Sequence, residues 1–244
     1  MRIQLQGLDK LRAAGRDLDK LLTEDFGPAA IADAINHTAF QARKALTAEM
    51  SSVFTDPTPW TLKSIQVFQA KPKTLEAAIW INDYRASKNN APDQWLKAEV
   101  FGGARGEKRL EKALRARNIL PAGKFVVPAK GARMDAYGNI SRGHVMQILS
   151  GLAAAEIYSG YTANASESKR SLAKGHAKAF FVMRRGKVPI GIAERRGKGQ
   201  MEMVLAFVNQ PAYARRLQFE GIVHQTADRE LLTNLDLAIV KAMG

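Results

Sequence analysis

The chain contains no cysteine. Disulfides, thiolate metal sites and cysteine nucleophiles are therefore excluded together, and cysteine usage cannot indicate a redox compartment. Aromatic residues amount to only 7%, and few stand among the basic ones, so a base-stacking surface of the RNA-recognition type is not predicted. Acidic residues number 23 against 37 basic ones in 244 residues, with no spacing that suggests a catalytic carboxylate pair. Long apolar runs are missing as well. No stretch approaches the ~20 apolar residues of a membrane span, and the opening MRIQLQGLDKL lacks the continuous apolar core of a signal peptide. The expectation is a soluble protein made in the cytosol.

Sites of chemistry are equally hard to find. The four histidines, His37, His144, His176 and His224, are scattered, and none forms an H-E-x-x-H metal pattern. Glu220, His224 and Asp228 fall at i, i+4 and i+8 of an expected helix, a spacing that could supply metal ligands but that an exposed polar face ordinarily explains. GIAERRGKG has five residues between Gly191 and Gly197 where a phosphate loop has four, and Gly199 where Ser or Thr would hold the metal. No G-x-S-x-G elbow occurs, and DAYGN (Asp135 to Asn139) is a turn rather than a cation loop. The expectation is a protein without catalysis, metal or cofactor.

Apolar residues and positive charge are plentiful. Hydrophobic residues make up 46%, enough for a substantial core. The net charge is +14, so a polyanionic partner has to be considered. That charge is concentrated: residues 101–142 carry 10 basic and 3 acidic groups, and residues 169–198 carry 10 and 1. These windows hold +7 and +9, leaving −2 for the remainder.

A short strand at Ile3 to Gln6 precedes a helix expected from near Leu8, with Leu8, Leu11, Leu18, Leu21 and Leu22 on one side. A long helix over Ala29 to Met50 aligns Ile31, Ile35, Ala39, Ala42, Leu46 and Met50 in one stripe. Ile65–Ala70 and Leu75–Asn82 read as a hairpin, and WLKAEVFGG as a further short strand. Glu107 to Arg117 reads as a charged helix, Ser141 as the N-cap of the next, and the chain from Pro211 onward as helical. The fold class is α+β: a long N-terminal helix packed on short antiparallel strands, then a basic β-meander and a C-terminal helix. Residues 159–176, small and polar, are expected to form a mobile loop that orders against another chain. The predicted division is 1–125 and 126–244, or one continuous domain.

The stretch FFVMRRGKVPIGIAERRGKGQMEMVLAFV, Phe180 to Val208, is the meander. Its strands are Phe180–Arg185, Ile190–Arg196 and Met201–Val208, and its turns are Gly186–Pro189 and Gly197–Gln200. Alternation sets Met201, Met203, Leu205 and Phe207 on one face and Val204, Ala206 and Val208 on the other. Both faces are apolar, as in a core sheet or one covered by a partner. The basic clusters fall at opposite ends, ~20 Å apart for seven residues at ~3.3 Å each, which disfavours one compact phosphate pocket. The candidate DNA- or partner-facing residues are Arg184, Arg185, Lys187, Arg195, Arg196 and Lys198, with Arg105, Lys108, Arg109 and Lys112 as a second group. Subunit contact, phosphate contact and plain solvation are all open to them. Without stacking aromatics, any nucleic-acid contact would be to phosphates and independent of sequence.

The order of the N-terminal half, IQLQGLDKL, then AINHTAFQARKAL, TPWTLKSIQVFQAK and LEAAIWIND, resembles phage tail-completion proteins of the minor tail protein Z type. Ala34, Ile35, Asn36, Ala42 and Arg43 match a helical signature of that family. Thr61, Leu62, Ser64 and Ile65 resemble its T-x-x-L-x-x-S-I segment, and RLEKALRARNILPAG (Arg109 to Gly123) also looks like members from phage genomes. The likeness covers roughly residues 1–125; the 159–176 segment and the basic ribbon lie outside it. It implies a non-catalytic virion protein at the head–tail junction or the head-proximal end of a tail. The implied partners are further copies in a ring, six-fold favoured, neighbouring tail-tube and head–tail connector proteins, and double-stranded genomic DNA. From another class, the alternative is a sequence-independent nucleic-acid-binding protein acting outside any particle.

Overall fold

The computed structural model describes residues 2–6, 25–82, 91–153, 180–197 and 200–243. The helix expected from Leu8 and the loop expected at 159–176 lie outside these residues, as does Lys198. The class is α+β, as expected.

The chain divides into two compact units: residues 1–103 together with 214–244, and residues 104–213. The second is an insertion in the first. This differs from the expected boundary at 125, because the C-terminal helix returns to the N-terminal one, a pairing that no local pattern reveals.

In the first unit, α1 (Gly27–Val53) starts at a Gly-Pro pair, where proline's missing N–H costs nothing. All six residues of its expected stripe are buried. They pack against α6 (Phe219–Met243), which contributes Phe219, Val223, Leu231 and Leu235 to one shared core. Three strands, β1 (Arg2–Gln6), β2 (Ile65–Phe68) and β3 (Glu76–Ile81), form an antiparallel sheet with β3 in the centre. Between α1 and β2 lies the single turn α2 (Pro59–Leu62). Ile65, Ile79 and Ile81 join the helical core. WLKAEVFGG is not a strand: Asp93–Phe101 forms helix α3, stopped by Gly102 and Gly103, both at positive φ. Leu96, Ala98 and Val100 are all buried, so a segment enclosed on more than one side imitates strand alternation.

In the inserted unit, β4 (Gly103–Ala104) and β9 (Ala212–Tyr213) pair where the chain enters and leaves. Between them come α4 (Arg109–Ala116), β5 (Phe125–Pro128), α5 (Arg142–Gly151) and the meander β6 (Phe180–Arg185), β7 (Val188–Gly197) and β8 (Gln200–Val208). The sheet order is β5-β8-β7-β6, all antiparallel. Ser141 caps α5 by accepting from the His144 N–H, as expected. Ala113 and Leu114 of α4, Val145, Ile148 and Leu149 of α5, and Phe180, Ile192, Val204 and Leu205 of the sheet form one core.

The meander's simple alternation is corrected by a bulge. Ile192 pairs with Leu205 but Ala193 with Met203, so β8 holds one extra residue and its parity switches there. Val204 and Leu205 are both buried, whereas Met201 is 62% exposed. The first turn is also tighter than expected. Arg185 pairs with Val188 across Gly186-Lys187 alone, with Gly186 at φ +62, the pattern of a two-residue II′ connection.

Candidate interaction surface

The inserted unit carries 20 basic and 7 acidic residues, a net +13, while the other unit has 17 and 16, a net +1. Its cations fall into two kinds, those committed to internal carboxylates and those that are not.

The deepest commitment is Arg105. Its Nη1 and Nη2 donate to the two Glu111 carboxylate oxygens at 2.8 and 2.5 Å, and it also donates to the Gly106 and Val126 carbonyls. The guanidinium lies 5.0 Å from the Phe125 ring centre. Arg105 is 7% exposed and Glu111 fully buried. Burial opposes ionisation of Glu111, but hydrogen bonds from Arg105 and from the Val126 and Lys108 N–H groups outweigh it and hold the carboxyl below its usual range. The Glu111 hydrogen bond raises the Arg105 pKa further. Arg105 is therefore not the partner-facing cation expected from the sequence. It joins α4 to β5, and only Lys108, Arg109 and Lys112 of its group are exposed. Arg115 is likewise engaged, by Glu107 at 2.6 Å and by the Pro121 and Lys124 carbonyls.

A second network closes the far end of the meander. Glu194 and Glu202 stand directly opposite on β7 and β8, a placement in which like charges repel. Arg196 resolves it by reaching Glu202 at 2.6 Å and Glu194 at 3.3 Å while donating to the Gly131 carbonyl at 3.0 Å. Arg133 binds Glu194 and Gln147, and its own N–H donates to His144 Nδ1 at 2.9 Å. With Nδ1 accepting, the neutral ring carries its proton on Nε2, which is buried without a partner. Burial first, and then the charge of Arg133, hold the His144 pKa below the ordinary value, against the pull of Glu194. Two arginines and two glutamates leave this cluster neutral, so Arg196, although 43% exposed, is balanced by Glu194 and Glu202 and adds no net outward charge.

The remaining candidates are different. Arg184, Arg185 and Lys187 are exposed at the β6–β7 tip, and among the described residues no acidic side chain pairs with them. Arg184 Nη1 donates to the Lys187 carbonyl at 3.1 Å, which holds it over the turn. Arg195 is exposed and lies 4.9 Å from the Phe181 ring centre. The two basic ends stand at opposite ends of β7, as expected: Val188, which pairs with Arg185, is seven residues from Arg195, or ~23 Å.

Sequence reasoning missed Glu111, Glu194, Arg133 and His144. A signal was present for Glu194, since a lone acid two positions from inward-facing Ile192 sits at core parity.

In the first unit the residues that carry the family resemblance are tied into the fold. Asn36 on α1 donates to the Ala70 carbonyl at 3.0 Å and accepts from the Ala70 N–H at 2.7 Å, fixing the chain just after β2. Thr58 caps α2 through the Thr61 N–H, and Ser64 donates to the Thr61 carbonyl at 2.6 Å. Beside them Trp60 and Phe68 are 47% and 51% exposed, and a groove along β2 is lined by Gln66, Phe68, Lys71 and Trp80.

Glu220, His224 and Asp228 lie on the exposed side of α6, and among the described residues no cluster suited to a metal ion occurs. Among the same residues no helix is long and apolar enough to cross a membrane. No family model, curated protein or solved structure matches the chain.

Proposed function

We propose that the chain is a non-enzymatic structural protein of a bacteriophage particle, placed at the head–tail junction or the head-proximal end of the tail. There it completes or terminates the tail as part of a ring of its own copies. The observation that carries this reading is the sequence order of the first unit, in which three of the residues behind the resemblance have structural roles: Asn36 ties α1 to the chain just after β2, and Ser64 closes the turn from α2 into β2 on the Thr61 carbonyl. Exposed Trp60 and Phe68 beside edge strand β2 support a contact with a neighbouring subunit, because aromatic anchors next to an open strand edge favour protein contacts. Tail-tube and connector proteins are the other expected neighbours, and the virion is the expected location after synthesis in a host bacterium.

The test is incorporation. Particles assembled with a tagged copy should carry the protein at the neck in stoichiometric amounts, and its depletion should give heads and tails that fail to join. Complete particles lacking the protein would refute the proposal. A second reading, a nucleic-acid-binding protein outside the particle, is favoured by the +13 of the inserted unit. Absence from particles together with duplex binding would select it.

A further inference from the structure

We infer that the β6–β7 tip, Arg184 to Val188, is a binding element for the phosphate backbone of duplex DNA. The inference extends the reading above by naming where the chain meets the genome. Of the ten candidate cations, Arg105 and Arg196 are used up by internal carboxylates. The tip keeps three cations within four residues and has no acidic partner among the described residues.

The local structure is built for presentation rather than for solubility alone. A two-residue turn with Gly186 at φ +62 brings Lys187 beside the two arginines. Met183 pairs with Gly191 but Arg184 with Pro189, so β7 holds one extra residue, Ile190, just after the tip, and such a bulge sharpens the twist of the ribbon there. The Arg184–Lys187 hydrogen bond then holds one guanidinium over the loop. Three neighbouring like charges repel one another in the free molecule, and a line of phosphates relieves that repulsion.

Duplex DNA fits this arrangement better than an acidic protein surface does. Arginine is enriched and lysine depleted at protein interfaces, so the cations alone do not decide; such interfaces centre on buried aromatic anchors, and the tip has none. A two-stranded ribbon fits a duplex groove, where phosphates flank it on both sides. Val188, 59% exposed between the cations and the core, supplies an apolar contact of the kind that groove-binding ribbons use. The tip has no aromatic side chain to stack on bases, and the contacts inferred are to phosphates, which carry no sequence information.

The experiment measures binding of the full chain to a labelled mixed-sequence duplex by fluorescence anisotropy over a KCl series. Replacing Arg184, Arg185 and Lys187 together by Gln should lower the slope of log K against log salt by about 2.7, or 0.9 per lost contact, a loss of about 500-fold at ~0.1 M salt. Val188→Ser should weaken binding with the slope unchanged. Lys112→Gln and Lys130→Gln, exposed cations elsewhere in the unit, should each leave the slope nearly unchanged, well short of the ~0.9 of one lost phosphate contact. Circular dichroism checks that every variant is folded. The inference is overturned by a wild-type chain that does not bind, by an unchanged slope in the triple variant, or by equal losses in the controls. It is also overturned if the wild-type chain binds polyglutamate as tightly as duplex DNA at the same salt and charge concentration, which would mark the tip as a site for any acidic chain. Particle incorporation of the triple variant is scored separately, so loss of DNA binding and loss of the virion role remain distinguishable.

Discussion

Replacing Glu111 by alanine is expected to unfold the inserted unit while the first unit's core survives. Glu111 accepts four hydrogen bonds, two from Arg105 and one each from the Lys108 and Val126 N–H groups at 2.7 and 2.8 Å. Alanine leaves the guanidinium, 7% exposed, without its counter-charge and strips the acceptors from two backbone donors. Breaking a buried pair from one side costs about 3–5 kcal/mol, and each orphaned N–H adds about 1–3 kcal/mol. These costs overlap where Arg105 relaxes toward water, so the net loss is about 4–6 kcal/mol, comparable to the whole stability of a small domain. Glu111→Gln keeps the shape but turns an NH2 toward donors, for a loss of about 2–4 kcal/mol. Arg105→Met with Glu111→Leu restores charge balance and should be less damaging than the two single changes added together. The assay exploits an asymmetry: Trp60, Trp80 and Trp95 all belong to the first unit. In urea, tryptophan fluorescence therefore follows that unit, and far-UV circular dichroism follows both. The expected result is a dichroism transition moved far below the fluorescence transition. A loss under about 1 kcal/mol, as for an exposed ion pair, would refute the reasoning, and so would a common shift of both signals.

Three further outcomes are expected. Asn36→Ala orphans both backbone groups of Ala70, itself 5% exposed, and should cost about 2–3 kcal/mol in the fluorescence transition. Asn36→Asp, which keeps only the acceptor, should fall between alanine and wild type. Gly191→Ala would set a Cβ 2.4 Å from the Leu205 carbonyl oxygen, an atom fixed in the β7–β8 ladder. It should cost at least about 1–3 kcal/mol, seen in dichroism and not in fluorescence. On acidification the inserted unit should weaken in two steps. The first begins near pH ~6.5, where the unfolded imidazole takes up a proton that buried His144 does not, and the second falls below ~4.3, where Glu111 is lost. His144→Asn, whose Oδ1 replaces Nδ1 as acceptor for Arg133, should abolish only the first step in urea midpoints compared at neutral and mildly acidic pH.

Helix α1 was legible because an isolated amphipathic helix writes its period into the sequence: Ile31, Ile35, Ala39, Ala42, Leu46 and Met50 form a single stripe and all are buried. Helix α3 was not, because Leu96, Ala98 and Val100 are all enclosed and alternation alone cannot tell such a segment from a strand. The β8 bulge was hidden for a related reason. Period-two counting assumes an unbroken ladder, and nothing within β8 itself marks Val204 as the extra residue. Long-range partners were invisible altogether. Asn234 on α6 donates to Thr38 and Gln41 on α1 across more than 190 positions, and that pairing makes residues 104–213 an insertion instead of the start of a second half.

The same distinction governs the charge. Counted along the chain, Arg105, Arg196 and Arg184 are equivalent members of two basic windows. In the fold, Arg105 meets Glu111 six residues on, and Arg196 meets Glu194 two residues back and Glu202 across the ladder. Every carboxylate thus engaged removes a cation from the outward field, so the windows overstate how many cations a partner can meet. What remains exposed is set by where acids are missing. From Phe180 to Gly191 the sequence has no acid at all, and the tip of that hairpin is where three cations stand together. A basic window marks an interaction surface only after its internal carboxylates have claimed their share; for this chain that step removes Arg105 and Arg196 from the ten candidates, and among those left the hairpin tip is where three exposed cations stand closest in sequence.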